Sequence, residues 1–186
     1  MFTGIVQAVG RIEALEPLQV RAGRLPLADV RIGDSISVQG CCLTVIRKGR
    51  GRLWFDVSRE TRRVTAGLDR PGEVNLEQSL AFGDRLGGHL VTGHVDGVGV
   101  VAQRAGGLVR VRVPKALARY IARKGSICVD GVSLTVNRVL AGAFEVHVIP
   151  HTLKVTTLGR LRRGAKVNLE VDLVARYLER VLLQKS

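Results

Sequence analysis

Apolar and polar residues alternate along short stretches of this chain, and turn residues separate those stretches. Between residues 35 and 45 the apolar positions Ile36, Val38, Cys41, Leu43 and Val45 interleave with Ser35, Ser37, Cys42 and Thr44. Period-two alternation of this kind predicts half-buried strands. In the first half of the chain it places strands near 2–12, 35–46, 52–58 and 74–77, with shorter ones between. Gly33-Asp34, Gly40, Lys48-Gly49 and Pro71-Gly72 punctuate them as turns. Short, regularly spaced strands without long intervening helices predict a small closed barrel or a sandwich.

Two segments carry helical patterning instead. Pro114 stands at the first turn of a helix predicted over 114–121. The tail from Leu173 to Leu182 puts Val174, Tyr177, Leu178 and Val181 on one face. That stripe lies beyond both sets of strands, so it either docks within the chain or pairs with other subunits.

The pattern also repeats. Thr3-Gly4-Ile5-Val6 recurs as Thr92-Gly93-His94-Val95, and Ser35–Val45 recurs as Ser126–Val136. Phe55-Asp56-Val57 matches Phe144-Glu145-Val146, Glu60-Thr61 matches His151-Thr152 after a two-residue insertion, and Val74–Glu77 matches Val167–Glu170. Five blocks in one order mark a duplicated domain. Copies of about ninety residues can each close a barrel of roughly six strands, which leaves fewer unpaired edges than two open sheets.

Composition changes this picture little. The 186 residues are 46% hydrophobic and only 4% aromatic, so the core must be aliphatic. A net charge of +13 first suggests nucleic acid. The basic residues are dispersed, however, and Trp54, Phe55, Tyr120 and Tyr177 are isolated rather than gathered into a stacking platform. The charge therefore reads as solvated surface, and no nucleic-acid partner is expected. Three cysteines, two of them adjacent, do not form a disulfide framework. No leader pattern and no apolar run of about 20 residues is present, so a cytoplasmic protein without a membrane span is expected.

Chemistry concentrates on one strand face of each copy. Side chains alternate across a strand, so Cys41 and Leu43 share the core face while Cys42 and Thr44 share the polar one. The second copy repeats this with Val132 and Leu134 against Ser133 and Thr135. Equivalent small polar groups point to a pocket in each barrel. The copies differ where a reaction needs asymmetry: His94 replaces Ile5, Ser133 replaces Cys42 and His151 replaces Glu60. His89 reads as structural. His89 and His94 lack partners at ligand spacing, and no metal site is expected.

Met1–Val6, Gly40–Val45, Gly87–Val95 and Asp130–Asn137 together resemble the riboflavin synthase family, and the resemblance spans the duplication and the helical tail. It implies an all-β fold of two tandem six-stranded Greek-key β-barrels related by internal duplication. Residues 1–86 and 87–172 would be the two lumazine-binding barrels, and 173–186 a C-terminal α-helix holding a homotrimer. It implies the dismutation of two 6,7-dimethyl-8-ribityllumazine molecules without metal or cofactor, in a site shared between subunits. The duplication then serves to hold two substrates face to face, where proximity supplies much of the rate.

Carried over by motif, the first pocket comprises Gly4, Ile5, Val6, Ser35, Cys42, Leu43, Thr44, Asp56, Val57, Ser58, Arg59, Glu60 and Thr61. The second comprises Gly93, His94, Val95, Lys124, Ser133, Leu134, Thr135, His147, Val148, Ile149, Pro150, His151 and Thr152. His94 and Ser133 are the candidates for proton transfer, Cys42 for addition to or orientation of the acceptor ring, and Asp172 for a contribution across the interface. Gln39 stands where the family usually has Asn. Two other readings compete: a lumazine- or flavin-binding chromophore protein that does not react its ligand, and a nucleic-acid-binding barrel.

Overall fold

Two-residue turns set the geometry of both halves. Gln39 and Gly40 have φ of 52° and 83°, and Asp130 and Gly131 have 50° and 80°. Consecutive positive φ angles are the type I′ pattern that matches strand twist in tight hairpins. The single strand predicted over 35–46 is accordingly a hairpin, folded back at Gln39-Gly40.

The computed structural model describes residues 1–183, so the last three residues of the predicted tail helix lie outside it. The first half contains β1 (Ala8–Leu15), β2 (Leu18–Arg21), β3 (Ser35–Val38), β4 (Cys41–Gly49), β5 (Arg52–Phe55) and β6 (Gly72–Gln78). Helix α1 (Arg59–Val64) lies between the last two. The second half contains β7 (Gly97–Ala105), β8 (Leu108–Arg112), β9 (Ser126–Val129), β10 (Val132–Leu140), β11 (Ala143–His147) and β12 (Lys166–Val171), with α2 (Lys115–Ala118) and α3 (Pro150–Val155) interposed. Helix α4 (Leu173–Leu183) follows.

Each half is a closed antiparallel barrel. Its six strands run β1-β2-β5-β4-β3-β6 in the first and, in the same sense, β7-β8-β11-β10-β9-β12 in the second. Register corrects the sequence alignment. Val45 faces Phe55, and Val136 faces Val146, so the counterpart of Phe55 is Val146 rather than Phe144. Asp56 and His147 then stand next in line, and no insertion is needed.

The interiors are filled by aliphatic side chains with one phenylalanine each, Phe55 and Phe144. Cys41, Leu43 and Val45 point inward, as alternation predicts. The helix predicted over 114–121 is shorter than expected. After Ala118 the chain tightens into i→i−3 bonds, Tyr120 N–H to Leu117 and Ile121 N–H to Ala118, before entering β9. No helix among the described residues is long and apolar enough to cross a membrane.

The barrels meet across a local two-fold relation. Phe2 and Val91 exchange backbone hydrogen bonds of 2.8 and 3.1 Å. The amide of Asn75 donates to the Asp130 carbonyl at 2.8 Å, and that of its counterpart Asn168 donates to the Gln39 carbonyl at 2.9 Å. A Cβ on Gly40 would lie 2.7 Å from the Gly131 nitrogen, so only glycine permits this approach.

Candidate functional site

The polar strand faces lie outside the barrels. Cys42 and Thr44 on β4, and Ser133 and Thr135 on β10, point away from cores occupied by Val, Leu and Phe. The polar face expected to line a pocket in each barrel is therefore that barrel's outer wall, not its interior. The reason is size: about eight strands are needed before a barrel interior holds a small ligand. Ser35 stands directly opposite Thr44, and Ser126 directly opposite Thr135. Each wall thus carries a hydroxyl pair.

Each wall is roofed by an arm from the other half of the chain. The Cys42 N–H donates to the Gly93 carbonyl at 2.8 Å, and the Ser133 N–H donates to the Gly4 carbonyl at 2.8 Å. Val95 packs against the first core beside Val57, and Val6 packs against the second core beside Leu134 and Leu153. Gly4, Ile5 and Val6 therefore sit with Ser133, while Gly93 and Val95 sit with Cys42. The motif-based grouping paired them the other way.

Buried carboxylates hold the arms. Glu77 accepts from Thr3 N–H at 2.7 Å, Thr3 Oγ1 at 3.0 Å and Gly4 N–H at 3.0 Å. Glu170 accepts from Thr92 N–H at 2.6 Å, Thr92 Oγ1 at 2.8 Å and Gly93 N–H at 2.9 Å. Burial pushes both carboxyls above the usual carboxylate range, against the pull of these donors. Sequence reasoning missed both residues, although each ends a repeated Val-Asn-Leu-Glu block.

On the first wall, the Cys42–Thr44 face continues through exposed Ile46 to a cleft of 680 Å³ lined by Asp56, Val57, Ser58 and Arg59. Leu43 is buried and faces the core. Ser58 caps α1 through a 3.0 Å bond from the Thr61 N–H, and Glu60 is paired with Arg63 at 2.9 Å, which lowers its carboxyl pKa. Burial raises the Cys41 thiol to about 12; it is a core residue.

On the second wall Ser133 has a partner that the sequence did not reveal. His89 Nδ1 lies 2.7 Å from Ser133 Oγ, and the His89 Nε2 is buried without a hydrogen bond. Burial lowers the His89 pKa, partly opposed by the charge of Asp172. Lys124 enters β9 at φ 68° with its N–H on the Val136 carbonyl. His147 takes a 2.8 Å bond from its N–H to Asn137 Oδ1. Val148 is buried, whereas Ile149, Pro150 and His151 are exposed at the start of α3 with Thr152 half-buried behind them.

His94 is exposed and lines a 260 Å³ cleft with Thr92, Asp96, Glu170 and Arg176. Asp172 caps α4, accepting from the Val174 N–H at 3.0 Å. No group of three or more His, Cys, Asp or Glu side chains poised to hold a metal occurs among the described residues.

Comparison with known proteins agrees with the duplicated-barrel fold. The model of the lumazine binding domain matches twice, over residues 3–79 and 92–172. The chain belongs to the lumazine-binding family. Within it, the riboflavin synthase of Mycobacterium bovis is 47% identical over 198 residues, covering 98% of both chains. That of Photobacterium phosphoreum is 45% identical over 195 residues, covering 98% of this chain and 89% of that one. The crystal structure of LumP complexed with 6,7-dimethyl-8-(1'-D-ribityl) lumazine superposes with a TM-score of 0.79 at 27% identity, covering 92% of this chain and 99% of that one.

Proposed function

We propose that this protein is a riboflavin-forming transferase. Two molecules of 6,7-dimethyl-8-ribityllumazine react, one passing a four-carbon unit to the other, to give riboflavin and 5-amino-6-ribitylamino-pyrimidinedione. One observation carries the reading: the chain presents two equivalent polar walls, Cys42–Thr44 and Ser133–Thr135, each roofed by the other half's arm. A reaction between two copies of one substrate needs two like sites.

Ser35, Cys42, Thr44, Val95 and the Asp56–Thr61 stretch hold one lumazine. Ser133, Thr135, Lys124, Val6 and the His147–Thr152 stretch hold the other. The donor must lose a proton from its 7-methyl group, and the acceptor ring must be positioned for attack. Ser133, backed by a His89 whose pKa burial lowers, and His94 assist proton transfer. Cys42 orients the acceptor.

Juxtaposition supplies much of the rate, and it requires the wall of one barrel to face the other kind of wall on a second chain. Helix α4 supplies the contact for a homotrimer that does this. Its Val174, Tyr177, Leu178 and Val181 are each more than half exposed. Cys41, Cys42 and Cys128 are free thiols, which suits the reducing cytoplasm.

A second reading, a chromophore carrier, is favoured only by the likeness to LumP, at 27% identity against 45% and 47% for the enzymes. Incubation with 6,7-dimethyl-8-ribityllumazine alone, followed by absorbance and chromatography, tests both. The expected outcome is one riboflavin for every two lumazines consumed. Tight binding without riboflavin overturns the enzyme reading.

A further inference from the structure

The outer face of the first barrel carries a row of arginines that the second barrel lacks. Arg11 stands directly opposite Arg21, and Arg21 directly opposite Arg52. Their neighbours Ile12, Val20 and Leu53 are fully buried, so the three side chains share the outer face. Like charges directly opposite one another destabilise a sheet. Glu13 offsets two of them, lying 3.1 Å from Arg21 and 2.7 Å from Arg52. Glu73, opposite Arg11 in register, is paired with Arg160. Arg11 and Arg50 have no ion-pair partner among the described residues.

The duplication provides an internal control. In the second barrel the matching row reads Lys166, Val100, Arg112, Ala143, and Ala141 occupies the hairpin turn where Arg50 stands. That barrel closes with the same strand order, so the fold does not require the arginines. Arg11, Arg21 and Arg50 converge with Glu73 on a cleft of 470 Å³ walled by glycine backbone at Gly10 and Gly51. The volume falls in the small-ligand range, and guanidinium forks suit phosphoryl oxygens.

We propose that this cleft is an anion site of the first barrel that takes a phosphate-bearing small molecule, gripped by Arg11, Arg21 and Arg50. It shares no residue with either polar wall and does not depend on the dismutation. A nucleic-acid strand fits less well. The neighbouring Trp54 ring, the one aromatic platform nearby, is covered by the Arg47 guanidinium at 4.0 Å.

The test is titration calorimetry of the full chain with inorganic phosphate, pyrophosphate and adenosine monophosphate, at about 150 mM salt so that diffuse attraction is screened. Saturable binding at one site per chain is expected for at least one of the three. Adenosine monophosphate binding more tightly than phosphate assigns the site to phosphate esters; equal binding assigns it to the free anion. The double variant R11V/R50A takes the second barrel's residues, and Ala at φ 48° bears the same left-handed cost that Arg50 already bears, so its Tm should stay near the parent's. It should weaken binding by about tenfold or more, as expected for lost charge-assisted contacts. The control R138A, at an exposed position on β10 of the second barrel, should bind as the parent does. Absence of binding, equal binding by R11V/R50A, or binding only of a single-stranded RNA oligonucleotide overturns the proposal.

Discussion

The backbone N–H of Cys42 donates to the Gly93 carbonyl at 2.8 Å, so the first barrel's polar wall is roofed by an arm of the second. Gly93 has φ 79°, and a Cβ there would lie 2.6 Å from Cys42 Cβ. Gly93→Ala adds a left-handed backbone cost of about 1–2 kcal/mol and displaces the arm. Riboflavin formation should fall by about a hundredfold if the arm positions the substrate, since small misplacements cost that much. Parent-like turnover would show that the arm is not part of the site.

The arms also make a crossed prediction. Glu77→Gln keeps the shape but turns an N–H toward a donor, costing about 1–3 kcal/mol for a buried unsatisfied group. Loosening the Thr3-Gly4 arm should speed hydrogen exchange at the Ser133 amide, in the other barrel. Glu170→Gln should do the same at the Cys42 amide. Exchange changes confined to the mutated barrel would contradict the exchanged-arm geometry.

These arms mark the limit of what the sequence disclosed. Alternation puts Cys41 in the core and Cys42 on the polar face because the strand period is two, and the structure has Cys41 buried and Cys42 half-buried. The duplication was legible because five blocks kept their order. Yet Thr3-Gly4 and Thr92-Gly93 read as parts of their own copies, since nothing local says that an arm crosses to the other barrel. The contact is carried by single backbone bonds such as Ser133 N–H to the Gly4 carbonyl. His89 reads as structural in the sequence for a related reason: its contact with Ser133 joins residues forty-four apart along the chain. Residue type matches Phe55 with Phe144, whereas pairing partners match it with Val146.

Cys42 allows a sharper test of mechanism. The arm reaches Cys42 through its backbone N–H, which Cys42→Ala keeps. If proximity dominates, single-turnover riboflavin formation should fall by no more than about tenfold. Loss of all turnover with unchanged lumazine binding would instead assign the thiol a covalent step.

Asp130 makes stability depend on pH. It is buried between the barrels, accepts the Asn168 N–H at 2.8 Å, and burial raises its carboxyl to about 7. The folded-state pKa lies above the unfolded value, so the unfolded chain releases this proton first. The contribution is fully present below about pH 4 and is lost as pH rises toward 7. At about 1.4 kcal/mol per pKa unit the loss is on the order of 4 kcal/mol. Asp130→Asn retains an acceptor and tolerates the φ of 50°. The variant should unfold at higher urea than the parent at pH 8, with the difference shrinking toward pH 5. A parent at least as stable as the variant at pH 8 would show the carboxylate to be well accommodated.

Removing helix α4 tests assembly apart from folding. The helix is fastened to the second barrel at polar points, by Glu179 to Arg119 and Tyr120 and by Arg176 to Asp96. Its apolar stripe meanwhile remains in solvent, with Val174 at 66% and Tyr177 at 67% exposure. None of its residues is buried, so removing residues 173–186 leaves both barrel cores filled. The truncated chain should keep its strand spectrum and bind lumazine on each wall. By sedimentation it should run as a monomer, and the full chain as the proposed trimer. If the second substrate sits on a partner's wall, riboflavin formation should drop below detection and return only weakly at high protein concentration. A truncated monomer with full turnover would locate both substrates on one chain and remove the need for a shared site.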